Sequence, residues 1–292
     1  QRGPHAQKGC DCMSHSPLVS PAGLADHLEE PEVRVVEIRS AKDGGAYPEG
    51  HIPGAIGGYW KEWCWHETDR EFVSPEAMSE RFGQAGIGPD TTVVLYGDPV
   101  QYGSYAYWAF PMAGHARLYL LDGGRKKWTL EGRALSQDVP QHAPVAYPVP
   151  GGDQSMRVGR DNVRDQLQND RRLLLDLRTP EEFSGERVIE YAAPFDHGAE
   201  RGGHIPGARN VFFREFLNDD ESFKSPEGIE AVLQQAGIDL DSYDEVVCYC
   251  RLSHRATMAW LALTAVRGMQ NVAIYDGSWT EWGSIVGFPI EK

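Results

Sequence analysis

Short apolar runs alternate with helical patterns along most of the chain. An apolar run bounded by turn residues is typical of a strand buried on both faces, as in a parallel sheet. The predicted strands are Val33–Ile38, Val93–Tyr96, Leu118–Leu121, Leu173–Leu177, Val246–Tyr249 and Val272–Tyr275. The predicted helices are Pro75–Gly86, Ser104–Gly114, Pro226–Gly237 and Ala256–Val266. Because strands and helices alternate, we predict an α/β fold with a parallel β-sheet flanked by helices on both faces.

Two of the predicted helices carry the same start signal. Ser74 precedes Pro75, and Ser225 precedes Pro226. A serine in this place is a typical N-cap, because its hydroxyl accepts a hydrogen bond from the first helical turn. Gly237 supplies the stop of the second helix. The shared signal indicates that the two helices are copies of one element.

The chain contains an internal duplication. Gly50–Ala55 recurs letter for letter as Gly203–Ala208, an offset of 153 residues (203 − 50). Three further segments recur in the same order at offsets of 139, 153 and 154: Val35–Arg39 with Leu174–Arg178, Val93–Tyr96 with Val246–Tyr249, and Leu121–Gly124 with Tyr275–Ser278. Chance can produce one such match but hardly the series. We therefore predict two tandem domains that share one fold.

The offsets and the composition also place the domain boundaries. The second copy carries about 14 extra residues (153 − 139) between Arg178 and His204. This insert, which contains Ala192–Arg201, is predicted to be a surface loop. Proline and glycine are concentrated at 139–153, which indicates a linker. The predicted organisation is a flexible N-terminal arm at 1–16, a first domain at 17–138, the linker at 139–153 and a second domain at 154–292.

Charge and cysteine content narrow the classes of partner. The 292 residues include 28 basic and 43 acidic side chains, a net charge of −15, whereas nucleic-acid binders usually have the opposite balance. No apolar stretch reaches the length of a membrane span. We therefore expect neither nucleic acid nor membrane as a partner. Five cysteines, an odd and low number, favour reduced thiols and a cytoplasmic location over a disulfide framework.

The strongest chemical signal is Cys250 at the end of a predicted strand. It opens the sequence Cys-Arg-Leu-Ser-His-Arg at 250–255, and a helix follows. Ligands of open parallel sheets bind at the carboxyl ends of strands. Loop N–H groups, the helix start, Arg251 and Arg255 all favour the thiolate of Cys250 over the thiol. The same cradle suits an oxyanion such as thiosulfate.

The other cysteines lack this setting. Cys248 lies inside the strand, and Cys64 lies between two tryptophans, so both are predicted to be packing residues. Cys10 and Cys12 form a Cys-x-Cys pair that could bind a metal or oxidise, but a metal site would need further ligands, and we favour no functional role for the pair. We expect no metal and no organic cofactor.

The first copy differs at the place that matches Cys250. Gly97 stands there, followed by Asp98 and Pro99, so this copy has neither a thiol nor a cluster of cations. The first domain is predicted to be catalytically degenerate. We expect it to serve as a wall and lid of an active site in the second domain.

These motifs resemble those of tandem-domain thiosulfate sulfurtransferases of the rhodanese superfamily, in particular the bacterial form whose loop is Cys-Arg-x-Gly-x-Arg-Ser. The resemblance covers roughly Ser16 to Lys292. It rests on the two copies of Gly-His-Ile-Pro-Gly-Ala, on Leu121–Trp128 and on Tyr275–Trp282. It implies two rhodanese-like domains and a persulfide carried on Cys250.

The resemblance also assigns roles to polar residues around the loop. Arg251 and Arg255 are expected to bind the sulfonate of the donor, and Arg178 is expected to face the substrate. Asp176 and Asp276 are expected to shape the pocket through hydrogen bonds. His51 and His204 belong to a loop that is structural in this family, so we favour that role over a histidine pair.

The loop departs from the family pattern at three positions. Ser253 stands where the family has Gly, which would permit a positive φ, so Ser253 tolerates strain or the loop follows another path. His254 adds a group that is expected to titrate near neutral pH. Ala256 replaces the usual Ser. Ser253 and His254 are expected to shape the pocket and to influence donor preference.

The expected reaction moves the sulfane sulfur of thiosulfate through a Cys250 persulfide to a thiophile such as cyanide, a small thiol or a protein thiol. A mercaptopyruvate sulfurtransferase is the second hypothesis, and Arg251 in place of Gly argues for thiosulfate. A rhodanese-like phosphatase needs five residues between Cys and Arg, whereas four separate Cys250 from Arg255. A carrier that relays persulfide from a partner protein is the non-enzymatic hypothesis.

Overall fold

The computed structural model describes residues 16–188 and 198–292, which form two parallel five-stranded sheets. The strands of the first sheet are β1 (Leu18–Val19), β2 (Val33–Arg39), β3 (Ile56–Tyr59), β4 (Thr92–Asp98) and β5 (Leu118–Leu121). Those of the second are β6 (Arg157–Val158), β7 (Arg172–Asp176), β8 (Arg209–Asn210), β9 (Glu245–Tyr249) and β10 (Val272–Tyr275). The orders β1-β5-β4-β2-β3 and β6-β10-β9-β7-β8 are identical once five is added to each label. The predicted duplication of an α/β unit is therefore confirmed.

Helices connect the strands in both halves. The helices of the first half are α1 (Pro21–Ala25), α2 (Trp60–Cys64), α3 (Pro75–Gln84), α4 (Gln101–Ala113) and α5 (Gly124–Leu130). Those of the second are α6 (Arg160–Asp165), α7 (Pro180–Ser184), α8 (Pro226–Gln235), α9 (His254–Leu261) and α10 (Ser278–Trp282), and a π-helical turn at Ala262–Val266 extends α9. Short 3-10 turns occur at Tyr47–Glu49, Phe213–Phe216 and Leu240–Ser242. None of these helices is long and apolar enough to cross a bilayer.

The predicted caps are present. The hydroxyl of Ser74 accepts a hydrogen bond from the N–H of Ala77 at 3.2 Å, and that of Ser225 accepts one from Gly228 at 3.2 Å. Gly237 follows α8 with φ of 67°, a left-handed conformation that glycine adopts without strain. The cap chemistry explains why both helices start at the predicted residue.

Each sheet is covered by helices on both faces, as predicted. In the first half, Leu24 of α1 and Trp128 of α5 are buried against one face, and Phe82 of α3 and Trp108 of α4 against the other. In the second half the outer face packs against α6 and α10, and the inner face against α8 and α9. The two inner faces share one continuous apolar core, to which both halves contribute. This shared core fixes the halves against each other.

The halves meet about a pseudo-two-fold axis between α4 and α9. Ser104 Oγ lies 2.7 Å from Thr257 Oγ1, and the rings of Tyr107 and Trp260 lie 6.4 Å apart. Both pairs are separated by the duplication offset of 153 residues (257 − 104 and 260 − 107). Contact between equivalent residues is what a two-fold interface produces at its axis. The duplication is therefore visible in the packing as well as in the sequence.

The segment 139–153 forms no helix or strand and runs across the first half. The N–H of Val145 donates to Gly83 O at 2.9 Å, and that of Asp153 donates to Pro111 O at 3.0 Å. The phenol of Tyr147 lies 2.7 Å from His115 Nδ1. Residues 1–15 of the predicted arm, with Cys10 and Cys12, and residues 189–197 of the predicted insert lie outside the described residues.

Candidate active site

Cys250 follows β9 directly, at the carboxyl edge of the second sheet, as predicted. Its N–H donates to Ser278 Oγ at 3.2 Å, and its carbonyl accepts from the N–H of Trp279 at 2.9 Å. These bonds tie the loop to the start of α10. The residue is 1 % exposed, so the thiol lies beneath the surface and not on an open wall of a cleft.

Ser253 gives the loop its shape. Its φ is 67° and its ψ is −15°, so this residue is in the left-handed region where the family pattern has Gly. The Oγ of Ser253 lies 2.8 Å from Asp276 Oδ1 and 2.6 Å from Leu252 O, and its single proton serves one acceptor at a time. Of the two alternatives for Ser253, a strained backbone or another loop path, the structure has the strained backbone, with a carboxylate available to hold it.

Asp276 joins three parts of the molecule. Arg70 of the first half reaches both carboxylate oxygens, with Nη1 at 3.1 Å from Oδ2 and Nη2 at 3.3 Å from Oδ1. Arg157 donates to Oδ2 at 3.3 Å and also to Glu71 at 2.5 Å. With Ser253, these contacts place Asp276 at the centre of the hydrogen-bond network beside the loop. Arg70 was not among the sequence-predicted site residues, because nothing in its neighbours marks it.

A cavity of about 490 Å³ opens beside this network. Leu252, Asp276, Gly277 and Thr280 line it on the loop side, and Arg70 lines it from the first half. Arg70 also lines a larger cavity of about 900 Å³, whose other lining residues all belong to the first half and which no residue of 250–255 lines. The smaller cavity is thus the open space next to the loop of Cys250.

His254 lies in an aromatic enclosure built by the first half. Its ring stacks on Tyr105 at 4.1 Å and meets Trp60 edge-on at 4.4 Å, and Tyr102 lies 4.7 Å away. Burial lowers the pKa of His254 well below its usual 6.5, and the charges of nearby arginines lower it further. The expectation that His254 titrates near neutral pH is therefore wrong, because the enclosure excludes the solvent that would stabilise its charge.

Arg255 is held inside the second half. Its Nη1 donates to Glu182 Oε2 at 2.7 Å and its Nη2 to Oε1 at 2.9 Å, a two-pronged ion pair that is almost fully buried. Burial raises the pKa of Glu182, but the hydrogen bonds and charge of Arg255 outweigh it, so the pKa lies below its ordinary value. Glu182 also caps α7 through Thr179. The structure places Arg255 in an anchor between α9 and α7, not on an open substrate surface.

Arg178 is fully buried beside the loop. Its Nε and Nη2 donate to Asp176, at 2.6 Å for Nη2 to Oδ2, and Nη2 also donates to Gly203 O at 2.7 Å. The guanidinium lies 4.7 Å from the ring of Trp279. Its Nη1 has no hydrogen-bond partner among residues 16–188 and 198–292. The structure therefore gives Arg178 one unused donor group, but no exposure to solvent.

The loop itself offers further donors. In the described part of the chain, the main-chain N–H groups of Leu252, Ser253 and His254 donate to no acceptor. The first intrahelical bond of α9 runs from Thr257 N–H to Ser253 O at 3.1 Å, which leaves the preceding N–H groups outside the helical ladder. Arg251 is partly exposed. An anion at this loop would meet N–H groups and a cation together.

The first half shows why it lacks such a site. The position equivalent to Cys250 is Gly97, the second-last residue of β4, and the Asp98–Pro99 peptide bond that follows is cis. A Cβ on Gly97 would lie 2.2 Å from the nitrogen of Gly103 and 2.6 Å from Pro99 O. The first half therefore lacks the space for a side chain here as well as the thiol.

The remaining residues that the sequence analysis considered are either buried thiols or histidines that lie within hydrogen-bond distance of main-chain carbonyls. Burial raises the pKa values of Cys64 and Cys248, which are both fully buried. The ring nitrogens of His51 lie 3.0 Å from the carbonyls of Tyr47 and Asp138, and His204 Nδ1 lies 2.8 Å from Phe183 O. Among the described residues, no group of three or more His, Cys, Asp or Glu side chains is placed to hold a metal ion.

Comparison with known proteins decides the family. The model of the rhodanese-like domain matches residues 20–131 and 160–285. The chain belongs to the rhodanese family. A relative from Saccharopolyspora erythraea named "Putative thiosulfate sulfurtransferase" is 43 % identical over 252 residues, 86 % of this chain and 88 % of that protein. The sulfur carrier protein TtuD of Thermus thermophilus is 41 % identical over 279 residues, 94 % of this chain and 96 % of that protein.

Solved structures of other proteins have a similar fold. The anaerobic ergothioneine biosynthesis enzyme from Chlorobium limicola matches this chain with a TM-score of 0.78 and 26 % identity, over 94 % of this chain and 70 % of that one. A structure of EanB with a cysteine persulfide matches with a TM-score of 0.76 and 25 % identity, over 93 % of this chain and 68 % of that one.

Proposed function

We propose that this rhodanese transfers the sulfane sulfur of thiosulfate to a thiophilic acceptor through a persulfide on Cys250. The observation that supports this most is the loop at 250–254. It combines a cysteine at a strand end with main-chain N–H groups that donate to nothing else in the described residues. Such a loop stabilises negative charge on the sulfur of Cys250 and on an incoming oxyanion.

The proposed reaction is a double displacement. The thiolate of Cys250 attacks the outer sulfur of thiosulfate, the sulfur–sulfur bond of the donor breaks, and sulfite leaves with the bonding electron pair. The persulfide anion is then stabilised by the loop N–H groups. A nucleophile attacks its terminal sulfur and the thiolate of Cys250 leaves. The product is thiocyanate when the nucleophile is cyanide and a persulfide when it is a thiol.

The positions of the arginines assign different parts to them in this proposal. Arg251 is the partly exposed cation of the loop, so it meets the sulfonate first. Arg178 offers its unused Nη1 from within the wall, and Arg255 acts indirectly by anchoring α9 to Glu182. Because Cys250 is 1 % exposed, the donor reaches its thiol only when the loop or the aromatic enclosure of His254 moves aside. The cavity beside Leu252 and Asp276 is the entrance.

A second candidate function is a sulfur carrier that delivers the persulfide to a protein thiol. The similarity to TtuD over almost the whole chain favours it. Cys250 holds the persulfide in both functions, whereas the carrier receives its sulfur from a partner protein and discharges it to another protein thiol. Turnover with cyanide or a small thiol at a rate typical of enzymes supports the transferase; a stable adduct that only a protein acceptor discharges supports the carrier.

The first experiment is intact-mass spectrometry of the protein after mixing with thiosulfate. We expect a gain of one sulfur atom, removed again by cyanide, and sulfite released in equal amount. Cys250→Ser is expected to abolish both, whereas Cys248→Ser leaves them unchanged because Cys248 is a buried strand residue. An adduct that persists in Cys250→Ser would contradict the assignment of the nucleophile.

A further inference from the structure

Arg70 crosses from the first half to the loop of the second. It comes from the segment after α2, and its guanidinium lies 4.1 Å from the ring of Trp65 while it donates to both oxygens of Asp276. The ring and the carboxylate hold the planar group on two sides, which restricts its rotation. The carboxylate of Asp276 is almost fully buried, so its orientation depends on the donors that reach it.

The same carboxylate reaches the loop of Cys250. Its Oδ1 lies 2.8 Å from Ser253 Oγ and 3.3 Å from Arg70 Nη2. Ser253 has φ of 67°, a left-handed conformation that is strained for a residue other than glycine. A hydrogen bond from Ser253 to a fixed carboxylate offsets that strain. Arg70, Asp276 and Ser253 therefore form one relay from the first half to the loop.

The pseudo-two-fold axis provides an internal comparison. Asp122 follows β5 where Asp276 follows β10, and Phe223 matches Phe72, because Ser225 matches Ser74 (225 − 74 = 151). Asp122 Oδ1 accepts from the N–H of Phe223 at 2.9 Å, so the carboxylate after the last strand of each half contacts the other half. Glu221 is the counterpart of Arg70 (70 + 151 = 221). Only the side that faces Cys250 has a guanidinium at this position. On the other side a cross-domain ion pair joins Lys127 and Asp220 at 3.3 Å.

We propose that Arg70 is a positioning residue for the loop at 250–254, which we call the sulfur-transfer loop. Arg70 fixes Asp276, which in turn holds Ser253 in its left-handed conformation. The first half thus contributes to the reaction through one side chain, although it has no nucleophile. This role rests on the proposed function of Cys250 for its catalytic consequence, but not for its structural one. Arg70 acts through Asp276 and Ser253 and needs no contact with the donor.

The structural test is hydrogen exchange of the Cys250 and Thr257 amides in the full chain, which donate to Ser278 Oγ and to Ser253 O. We expect these amides to exchange about tenfold faster in Arg70→Gln than in the wild type, because a charge-assisted hydrogen bond to a buried carboxylate is lost. Lys127→Gln is the matched control, since it removes the same charge and a cross-domain ion pair on the other side. Equal protection in Arg70→Gln and wild type, or equal loss in both variants, would overturn the proposal.

The catalytic test is a double-mutant cycle with Ser253→Gly. In the Ser253 background, Arg70→Gln is expected to slow thiosulfate loading of Cys250 about tenfold. In the Ser253→Gly background, the same substitution is expected to slow loading less than about twofold, because glycine adopts the left-handed conformation without a hydrogen bond to hold it. Arg70→Lys is expected to recover part of the rate. A loss of the same size in both backgrounds overturns the relay. If the wild type accepts no sulfur at all, the proposed function fails and hydrogen exchange alone decides on Arg70.

Discussion

His254 follows Ser253 in the sulfur-transfer loop, and its ring is enclosed by aromatic side chains of the first half. Its Nε2 has no partner among the described residues. A proton on this imidazole would give it a positive charge, which the positive charges of Arg70, Arg251 and Arg255 would repel. The neutral form is therefore the one that the folded protein accommodates.

This depressed pKa predicts a dependence of stability on pH. In the unfolded chain His254 binds a proton near pH 6.5, whereas in the folded protein it does so only at lower pH, so stability is complete above 6.5 and falls as the pH drops below it. We expect His254→Phe to reduce the slope of unfolding free energy against pH by up to about 1.4 kcal/mol per pH unit between the two pKa values. Urea unfolding at several pH values measures this slope.

Tyr102→Phe is the control for that experiment, because it alters the same aromatic enclosure without removing the histidine. His115 also contributes to the slope of both proteins, since burial lowers its pKa to about 4. A slope in His254→Phe equal to that of the wild type would show that the imidazole is already solvated in the folded state.

Single residues also show where sequence reasoning ends. Cys250 could be predicted because strand, loop and helix are local patterns in the chain. The partner of Arg255 could not, because Glu182 is also a local helix cap and nothing in its neighbourhood indicates a second contact 73 residues away. Arg70 meets Asp276 across 206 residues, and only the folded arrangement of the two halves brings them together.

At the scale of elements, the strand-to-helix turns after β4 and β9 are copies that have diverged. After β9 the turn carries Cys250 and N–H groups that are available to a ligand. After β4 it folds back, so that main-chain atoms of Pro99 and Gly103 occupy the space of a side chain at position 97. The backbone path of the first turn leaves no room for a side chain at position 97, and a single substitution does not create that room.

We therefore expect Gly97→Cys to destabilise the protein and not to create a second sulfur site. A Cβ at 2.2 Å from a main-chain nitrogen forces the turn to move, at a cost of about 3 kcal/mol. In a Cys250→Ser background the variant is expected to take up no sulfur from thiosulfate. Gly159→Cys, whose added Cβ meets nothing within 4 Å, controls for the added thiol. Sulfur uptake at position 97 would refute the closed turn.

Element boundaries were predictable to the extent that their signals are local. The strand predicted at Val93–Tyr96 extends over Thr92–Asp98, and α4 starts three residues before its predicted start at Ser104 (104 − 101). The edge strands β1, β6 and β8 have two residues each and no periodicity that could reveal them. They exist because a longer neighbouring strand offers them hydrogen bonds, which is a property of the assembled sheet.

At the scale of the whole molecule, the duplicated halves are joined by a core that belongs to both. Trp60 and Trp108 of the first half and Met258 and Leu263 of the second are buried in the same cluster. The duplication made two domains predictable, but two similar sequences do not reveal whether the domains are independent. The shared core indicates that they are not, because separating them would expose the inner faces of both sheets to water.

The halves are consequently expected to unfold in one cooperative transition. Leu24 is fully buried in the outer core of the first half, away from the shared cluster, so Leu24→Ala is expected to cost about 2–5 kcal/mol there. If the shared core couples the halves, the slowest-exchanging amides of β9 in the second half exchange only through global unfolding. Their free energy of exchange then falls by the same amount as the free energy of unfolding of the first half. Hydrogen exchange of β4 and β9 in wild type and Leu24→Ala measures both. Loss of protection in β4 with β9 unchanged would mean that the domains unfold separately, and the first half would then be a removable neighbour of the active site and not part of its scaffold.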